Sequence, residues 1–189
     1  NPKVLGDLQP YQKIIFQNLR NSYTIVEENT SIEFYFTGKE ALDSMYSSIE
    51  EARSHIHLQS YIIEQDRTGE RFAELLKKKA REGVEVRVIY DGVGSISLKK
   101  EFVQQMEQAG VEMLCFAKVT LPMPTSKVNY RNHRKILVVD GRTGFLGGVN
   151  IADRYYYGNE LGEWHDTHMK VTGETVASLQ TSFFLDRYF

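Results

Sequence analysis

From residue 31 to residue 116 the spacing of apolar side chains switches repeatedly between two residues and roughly 3.6, and this alternation restricts the fold more than any other feature of the chain. Ser31 to Phe36 reads as a strand. Thr37-Gly38-Lys39-Glu40 has the spacing of a capping box and opens a helix that turns Ala41, Leu42, Met45, Ile49 and Ala52 inward. His55 to Glu64 is rich in strand formers, and Gly69 to Glu82 carries Phe72, Leu75, Leu76 and Ala80 at helical spacing. Gly83 stands where a helix-terminating glycine belongs, and Val84 to Tyr90 is the next strand. After Asp91-Gly92, a helix from about Ser97 to Ala109 stops at Gly110, and Val111 to Phe116 returns to strand. Strands that alternate with helices pair in parallel, because each crossover needs a dozen or more residues. The fold class that follows is α/β, with a mixed, largely parallel β-sheet flanked by helices.

The second half is organised differently. Ala117 to about Tyr130 reads as a long loop with Pro122 and Pro124, and with Leu121, Met123 and Tyr130 among its cations. Two apolar strands follow, His133 to Val139 and Thr143 to Val149, joined through Asp140-Gly141-Arg142 as a hairpin, since Asp-Gly suits a tight turn. A last strand, Trp164 to Val171, precedes a helix that begins near Gly173. With 189 residues and 41% hydrophobic content the chain suffices for one core. Residues 31–189 are expected to be that domain, with residues 1–30 as an extension packed on it. Cys115 is the only cysteine, so neither an internal disulfide nor a thiolate metal cluster is available. No stretch approaches the roughly 18 consecutive apolar residues of a membrane span, and Asn1-Pro2-Lys3 does not open a secretory signal. A net charge of −2 gives no general case for nucleic acid. Locally, Lys118, Lys127, Arg131, Arg134 and Lys135 fall between Ala117 and Val139 without a single Asp or Glu, which suits an anionic ligand.

That basic stretch contains the chemistry. Asn132 to Asp140 holds the pattern H-x-K-x-x-x-x-D at His133, Lys135 and Asp140, and Gly147-Gly148-Val149-Asn150 follows. On a strand His133 and Lys135 share one face, so an imidazole and an ammonium meet one group, while Asp140 has the opposite parity and sits at the turn. Asp140 therefore belongs to the signature set of catalytic residues by position but reads as structural, pinning turn or backbone groups. The combination resembles the phospholipase D superfamily. Tyr130-Arg131-Asn132-His133-Arg134-Lys135 and Trp164-His165-Asp166-Thr167-His168 resemble its bacterial cardiolipin synthases in particular, and the likeness runs from about Ser31 to the C-terminus.

The resemblance implies a phosphatidyltransferase that joins two phosphatidylglycerols into cardiolipin and releases glycerol, through a phosphohistidine. Neutral imidazole keeps a lone pair near pH 7, so His133 is the expected nucleophile. Lys135 and Asn150 would hold the non-bridging phosphate oxygens, and Gly147 and Gly148 would let the backbone approach the substrate. Arg131 and Arg134 are candidate substrate-binding cations. A nucleophilic histidine needs its second ring nitrogen oriented, and the resemblance assigns that task to Asp166. His165, Asp166 and His168 are not read as a metal site, because His165 faces away from the other two; no metal and no cofactor is expected. His55 and His57 share a strand face and read as structural.

The family architecture sets two such motifs face to face, and this chain has one. It is expected to be a fragment of a two-motif enzyme, given its end within a helical pattern at Asp186-Arg187-Tyr188-Phe189, or else to complete its site by dimerising. The partners implied are phosphatidylglycerol at a membrane surface and a second motif in cis or on a homodimer partner, with no nucleic acid. Attachment to the cell membrane would come from parts outside this chain, with this domain soluble and on the cytoplasmic side. The rival readings are a single-motif phosphodiesterase or nuclease acting as a homodimer, and an inactive half retained for lipid binding.

Overall fold

The computed structural model describes residues 14, 17, 30–116 and 131–188. The expected N-terminal extension and the loop from Ala117 to Tyr130, with Lys118 and Lys127, lie outside the described residues apart from isolated positions. A seven-stranded sheet organises the rest, in the order β1-β7-β6-β5-β2-β3-β4. Its strands are β1 (Ser31–Thr37), β2 (His55–Ser60), β3 (Glu85–Asp91), β4 (Val111–Phe116), β5 (Ile136–Val139), β6 (Thr143–Gly147) and β7 (His165–Thr172). The helices are α1 (Gly38–Glu51), α2 (Arg67–Arg81), α3 (Lys100–Gln108), α4 (Asp153–Tyr157) and α5 (Thr175–Arg187).

Helix α1 starts where its sequence directs. The Thr37 hydroxyl accepts from the Glu40 N–H and the Glu40 carboxylate accepts from the Thr37 N–H, both at 3.3 Å, which satisfies two donors that a helix start leaves open. Helix α2 begins two residues earlier than its apolar spacing suggests, because Asp66 caps it by accepting from the Gly69 N–H at 3.0 Å. Gly83 and Gly110 follow α2 and α3 with φ of 90° and 93°, the left-handed conformation that ends a helix cheaply only at glycine.

The sheet is mixed and flanked by helices, but parallel pairing is confined to β2, β3 and β4. The other four pairings are antiparallel: β5 and β6 form the hairpin, β7 joins β6, and β1 crosses the sheet to pair with β7 at the far edge. Central strand β5 is buried on both faces. Leu137 and Val139 face the main core with α1, α2 and α3, while Ile136 and Val138 face a smaller cluster that includes Val176 and Leu179 of α5. The strand directions also bring the C-terminal ends of β2, β3 and β6 together with the N-terminal ends of β5 and β7: Gln59 pairs with Ile136, Ile136 with Leu146, and Gly147 with His168. No helix of the described residues is long and apolar enough to cross a membrane.

Candidate active site

The signature hairpin is built as its Asp-Gly pair requires. Asp140 and Gly141 have φ of 53° and 63°, and the Arg142 N–H donates to the Val139 carbonyl at 3.0 Å, a tight turn with both central residues left-handed. The Asp140 carboxylate turns back to the start of β2, where it accepts from the N–H groups of Ser54 at 2.7 Å and of Arg53 and His55 at 2.9 Å. Burial pushes its pKa up, but the N–H groups of His55, Ser54 and Arg53 outweigh that effect and hold it below the usual carboxylate range.

The strand that carries the signature starts three residues later than expected, at Ile136, so His133 and Lys135 precede it. They meet nonetheless. The buried Lys135 Nζ donates to the His133 carbonyl at 2.7 Å and lies 3.0 Å from His133 Nδ1, while the imidazole itself is exposed. An ammonium has no acceptor, so in this arrangement Nδ1 accepts and the ring is uncharged. Burial, then the charge of Lys135, lower the His133 pKa, and Asp91 acts in the opposite direction. Burial brings Lys135 down to about 8, opposed by Asp166.

Asn150, 3% exposed, stands just beyond β6 and is held at both ends. Its Oδ1 accepts from the Ile62 N–H at 3.0 Å, and its Nδ2 donates to the Tyr155 hydroxyl at 2.7 Å. The amide expected to bind phosphate is thus also the tie between the β6 end and the segment after β2.

For Asp166, expected to orient a ring nitrogen of His133, the described hydrogen bonds go elsewhere. It accepts from the Thr167 N–H at 2.7 Å and from Trp164 Nε1 at 3.3 Å, and it acts electrostatically on Lys135 and His168. Two donors beside it in the chain bond it, and Lys135 Nζ is the group placed at His133 Nδ1. Gly147 and Gly148 give way to β7 rather than to an approaching substrate: a Cβ at Gly147 would lie 2.5 Å from His168 Cα, and one at Gly148 would lie 2.1 Å from Asp166 Oδ1. Arg134 is spent on Asp186 of α5, with both carboxylate oxygens within 2.9 Å. Arg131 lies 3.8 Å from Asp91. His55 and His57 are packed and hydrogen-bonded against α5: His57 stacks on Phe183 at 4.7 Å, and His55 Nε2 lies 3.2 Å from Gln180 Oε1. Among the described residues, no group of three or more His, Cys, Asp or Glu side chains is placed to hold a metal ion.

Three residues at this end of the sheet received no catalytic or binding role from the sequence. Asp91, 1% exposed, ends β3 and accepts from the Val93 and Gly94 N–H groups at 2.8 and 2.9 Å. His168, 1% exposed, shares the face of Asp166; burial lowers its pKa to about 4, so the ring is neutral at physiological pH. Tyr61, the first residue after β2, has its ring 4.6 Å from that of His133. For Asp91 and Tyr61 the available signal was position, since open α/β sheets bind ligands at the carboxyl ends of their parallel strands.

A protein-family model described as cardiolipin synthase, PLD-like domain, matches residues 45–183. The chain belongs to this family. A cardiolipin synthase of Oceanobacillus iheyensis is 41% identical over 181 residues, covering 95% of this chain and 38% of that protein. The chain spans under two fifths of the length of the curated cardiolipin synthases it matches. In fold it is similar to a phosphatidylserine synthase of Haemophilus influenzae, with a TM-score of 0.64 and 20% identity over 92% of this chain and 40% of that one. It is also similar to the phospholipase D family member Nuc of Salmonella typhimurium, with a TM-score of 0.60 and 16% identity over 85% of this chain and 95% of that one. The cardiolipin synthase PLD-like domain accordingly includes His133, Lys135, Asp140 and Asn150 within the matched span.

Proposed function

We propose that this domain supplies one half of the active site of a cardiolipin synthase, with His133 as the group that takes up the phosphatidyl moiety. The observation that carries this reading is the meeting of His133 Nδ1 with Lys135 Nζ at 3.0 Å, on the end of the sheet where Asn150 is also fixed. Family membership, and about 40% identity to proteins named cardiolipin synthase, support the choice of substrate.

The chemistry runs in two displacements. The phosphate of phosphatidylglycerol draws the Lys135 ammonium from His133 Nδ1 to its non-bridging oxygens, where charge must be balanced as bonds change. The freed imidazole attacks phosphorus through a ring nitrogen, the P–O bond to glycerol breaks, and the histidine of a second motif protonates the departing oxygen. That second histidine then takes the proton from a hydroxyl of another phosphatidylglycerol. The resulting oxygen attacks the phosphohistidine, giving cardiolipin and restoring His133. Asp166 acts through Lys135 and His168, and Asp140 acts by fixing the hairpin. Arg131 contributes positive potential at the site, whereas Arg134 reaches substrate only by exchanging Asp186 for phosphate. The second motif lies in cis or on a partner, the substrate is met at a membrane surface, and the domain works from the cytoplasmic side.

One observation favours a second reading, a homodimeric phosphodiesterase: the fold match covers 95% of the Nuc chain, so a unit of this size makes up nearly all of that protein. Labelled phosphatidylglycerol in detergent micelles, incubated with the two-motif enzyme and a chelator, distinguishes the two. Cardiolipin and free glycerol in equal amounts are expected. Phosphatidate with water as sole acceptor, or cleavage of soluble phosphodiesters alone, would move the assignment to the second reading.

A further inference from the structure

Tyr61 is absent from the signature, yet two of the signature's residues, His133 and Lys135, lie against its ring. Its ring lies beside the His133 imidazole at 4.6 Å between centroids and 49° between planes. The Lys135 Nζ sits 5.3 Å from the same ring centroid, within the range of a cation–π contact. The ammonium therefore has two seats, His133 Nδ1 on one side and the electron-rich face of Tyr61 on the other.

The backbone at Tyr61 and Ile62 is tied at three points. Asn150 Oδ1 accepts from the Ile62 N–H at 3.0 Å, and Ser60 Oγ donates to the Ile62 carbonyl at 2.8 Å. Ser95 Oγ donates to the Tyr61 carbonyl at 3.2 Å. Gly94 presses on the ring itself, since a Cβ there would lie 2.9 Å from Tyr61 Cε2 and 2.2 Å from the Tyr61 carbonyl oxygen. With its backbone tied and its ring set between Gly94 and the His133–Lys135 pair, Tyr61 forms a wall of the site at the end of β2.

We propose that Tyr61 is a positioning residue for the His133–Lys135 pair: its ring face fixes the imidazole plane and gives the ammonium a resting place as phosphate enters and leaves. The ring is what acts, and the hydroxyl is dispensable. This inference rests on the reading of His133 as a catalytic histidine, though not on the identity of the lipid. A misplacement of about 1 Å at a reacting group costs on the order of a hundredfold in rate. Tyr61→Leu in the two-motif enzyme is therefore expected to lower kcat by about tenfold to a hundredfold with KM changed by less than about threefold. Tyr61→Phe should stay within about twofold of the wild type in kcat.

The second readout needs no turnover. In the wild-type chain the His133 ring protons should be shifted upfield by the Tyr61 ring current in 1H–13C NMR spectra. That shift should persist in Tyr61→Phe and vanish in Tyr61→Leu, with the signals of the other four histidines in place as the control for folding. Should the leucine variant not fold, Tyr61→Met, unbranched and of similar reach, carries the same comparison. Wild-type kcat in a folded variant without the ring, an equal loss in Tyr61→Phe, or no ring-current shift on His133 in the wild type would each overturn the proposal. A wild-type enzyme that makes no cardiolipin but cleaves another phosphodiester would contradict the lipid assignment alone, and the ring shifts would still decide on Tyr61.

Discussion

His133→Ala in the two-motif enzyme is expected to lower turnover by at least about a thousandfold while leaving the fold in place. The imidazole is exposed, and its described contacts are with Lys135 and the face of Tyr61. Its removal therefore creates no cavity in the core, and the change in stability should stay within about 0.5 kcal/mol. Lys135 keeps its bond to the residue-133 carbonyl, so the phosphate-binding cation stays near its place. Loss of rate without loss of stability separates a group that bonds to phosphorus from one that only organises the site. Thermal unfolding and cardiolipin formation measured on one preparation make the comparison. A variant with a tenth or more of the wild-type rate, which is about 1.4 kcal/mol of lost transition-state stabilisation or less, would exclude His133 as nucleophile and as proton donor.

Asp140→Ala should show the reverse pattern, a stability loss of about 2–4 kcal/mol and a much smaller effect on rate per folded molecule. The carboxylate takes three backbone N–H groups from residues 53–55, which would otherwise face each other without an acceptor at the start of β2. Alanine also has to adopt the left-handed φ of 53° that Asp tolerates better. Asp140→Asn keeps that tolerance and one acceptor oxygen, so its loss should be about half as large. The pH dependence has a defined sign. The folded-state pKa lies below the unfolded one, so the carboxylate's contribution is fully present above the unfolded value of about 4 and disappears as pH falls through the lower folded value. Urea denaturation at falling pH should narrow the gap between the wild type and Asp140→Ala once pH drops below about 4, leaving the part due to the left-handed backbone, and a constant gap down to the acid limit of folding would contradict this role.

Much of the fold was legible because its determinants are local. The Thr37–Glu40 capping box, the glycines after α2 and α3, and the Asp140-Gly141 turn each act within a few residues and appear where their chemistry puts them. The parallel share of the sheet was overestimated because pairing is decided at long range. Helical crossovers really do link β2, β3 and β4, but nothing near Ser31 announces that β1 will pair with β7, whose partner residue for it is Thr172.

The site divided along the same line. His133 and Lys135 came together although neither lies in the strand from which their shared face was argued, because a single intervening residue keeps them close in any extended path. Asp166 was assigned to His133 by likeness, and a spacing cannot reveal that Trp164 and Thr167, its own neighbours, satisfy the carboxylate first. Arg134 was read as free for substrate because its partner, Asp186, stands 52 residues away. Residues 117–130, expected to be a loop, lie outside the described residues together with Lys118 and Lys127.

The most direct measurement is to quench the two-motif enzyme during turnover with phosphatidylglycerol labelled in its phosphate, and to map the label by mass spectrometry under conditions that preserve phosphohistidine. A phosphatidyl adduct is expected on the peptide that contains His133, absent from His133→Ala and discharged when fresh phosphatidylglycerol is added. Cardiolipin formed with the adduct only on the second motif's histidine, or with no adduct on either, would contradict the role given to His133.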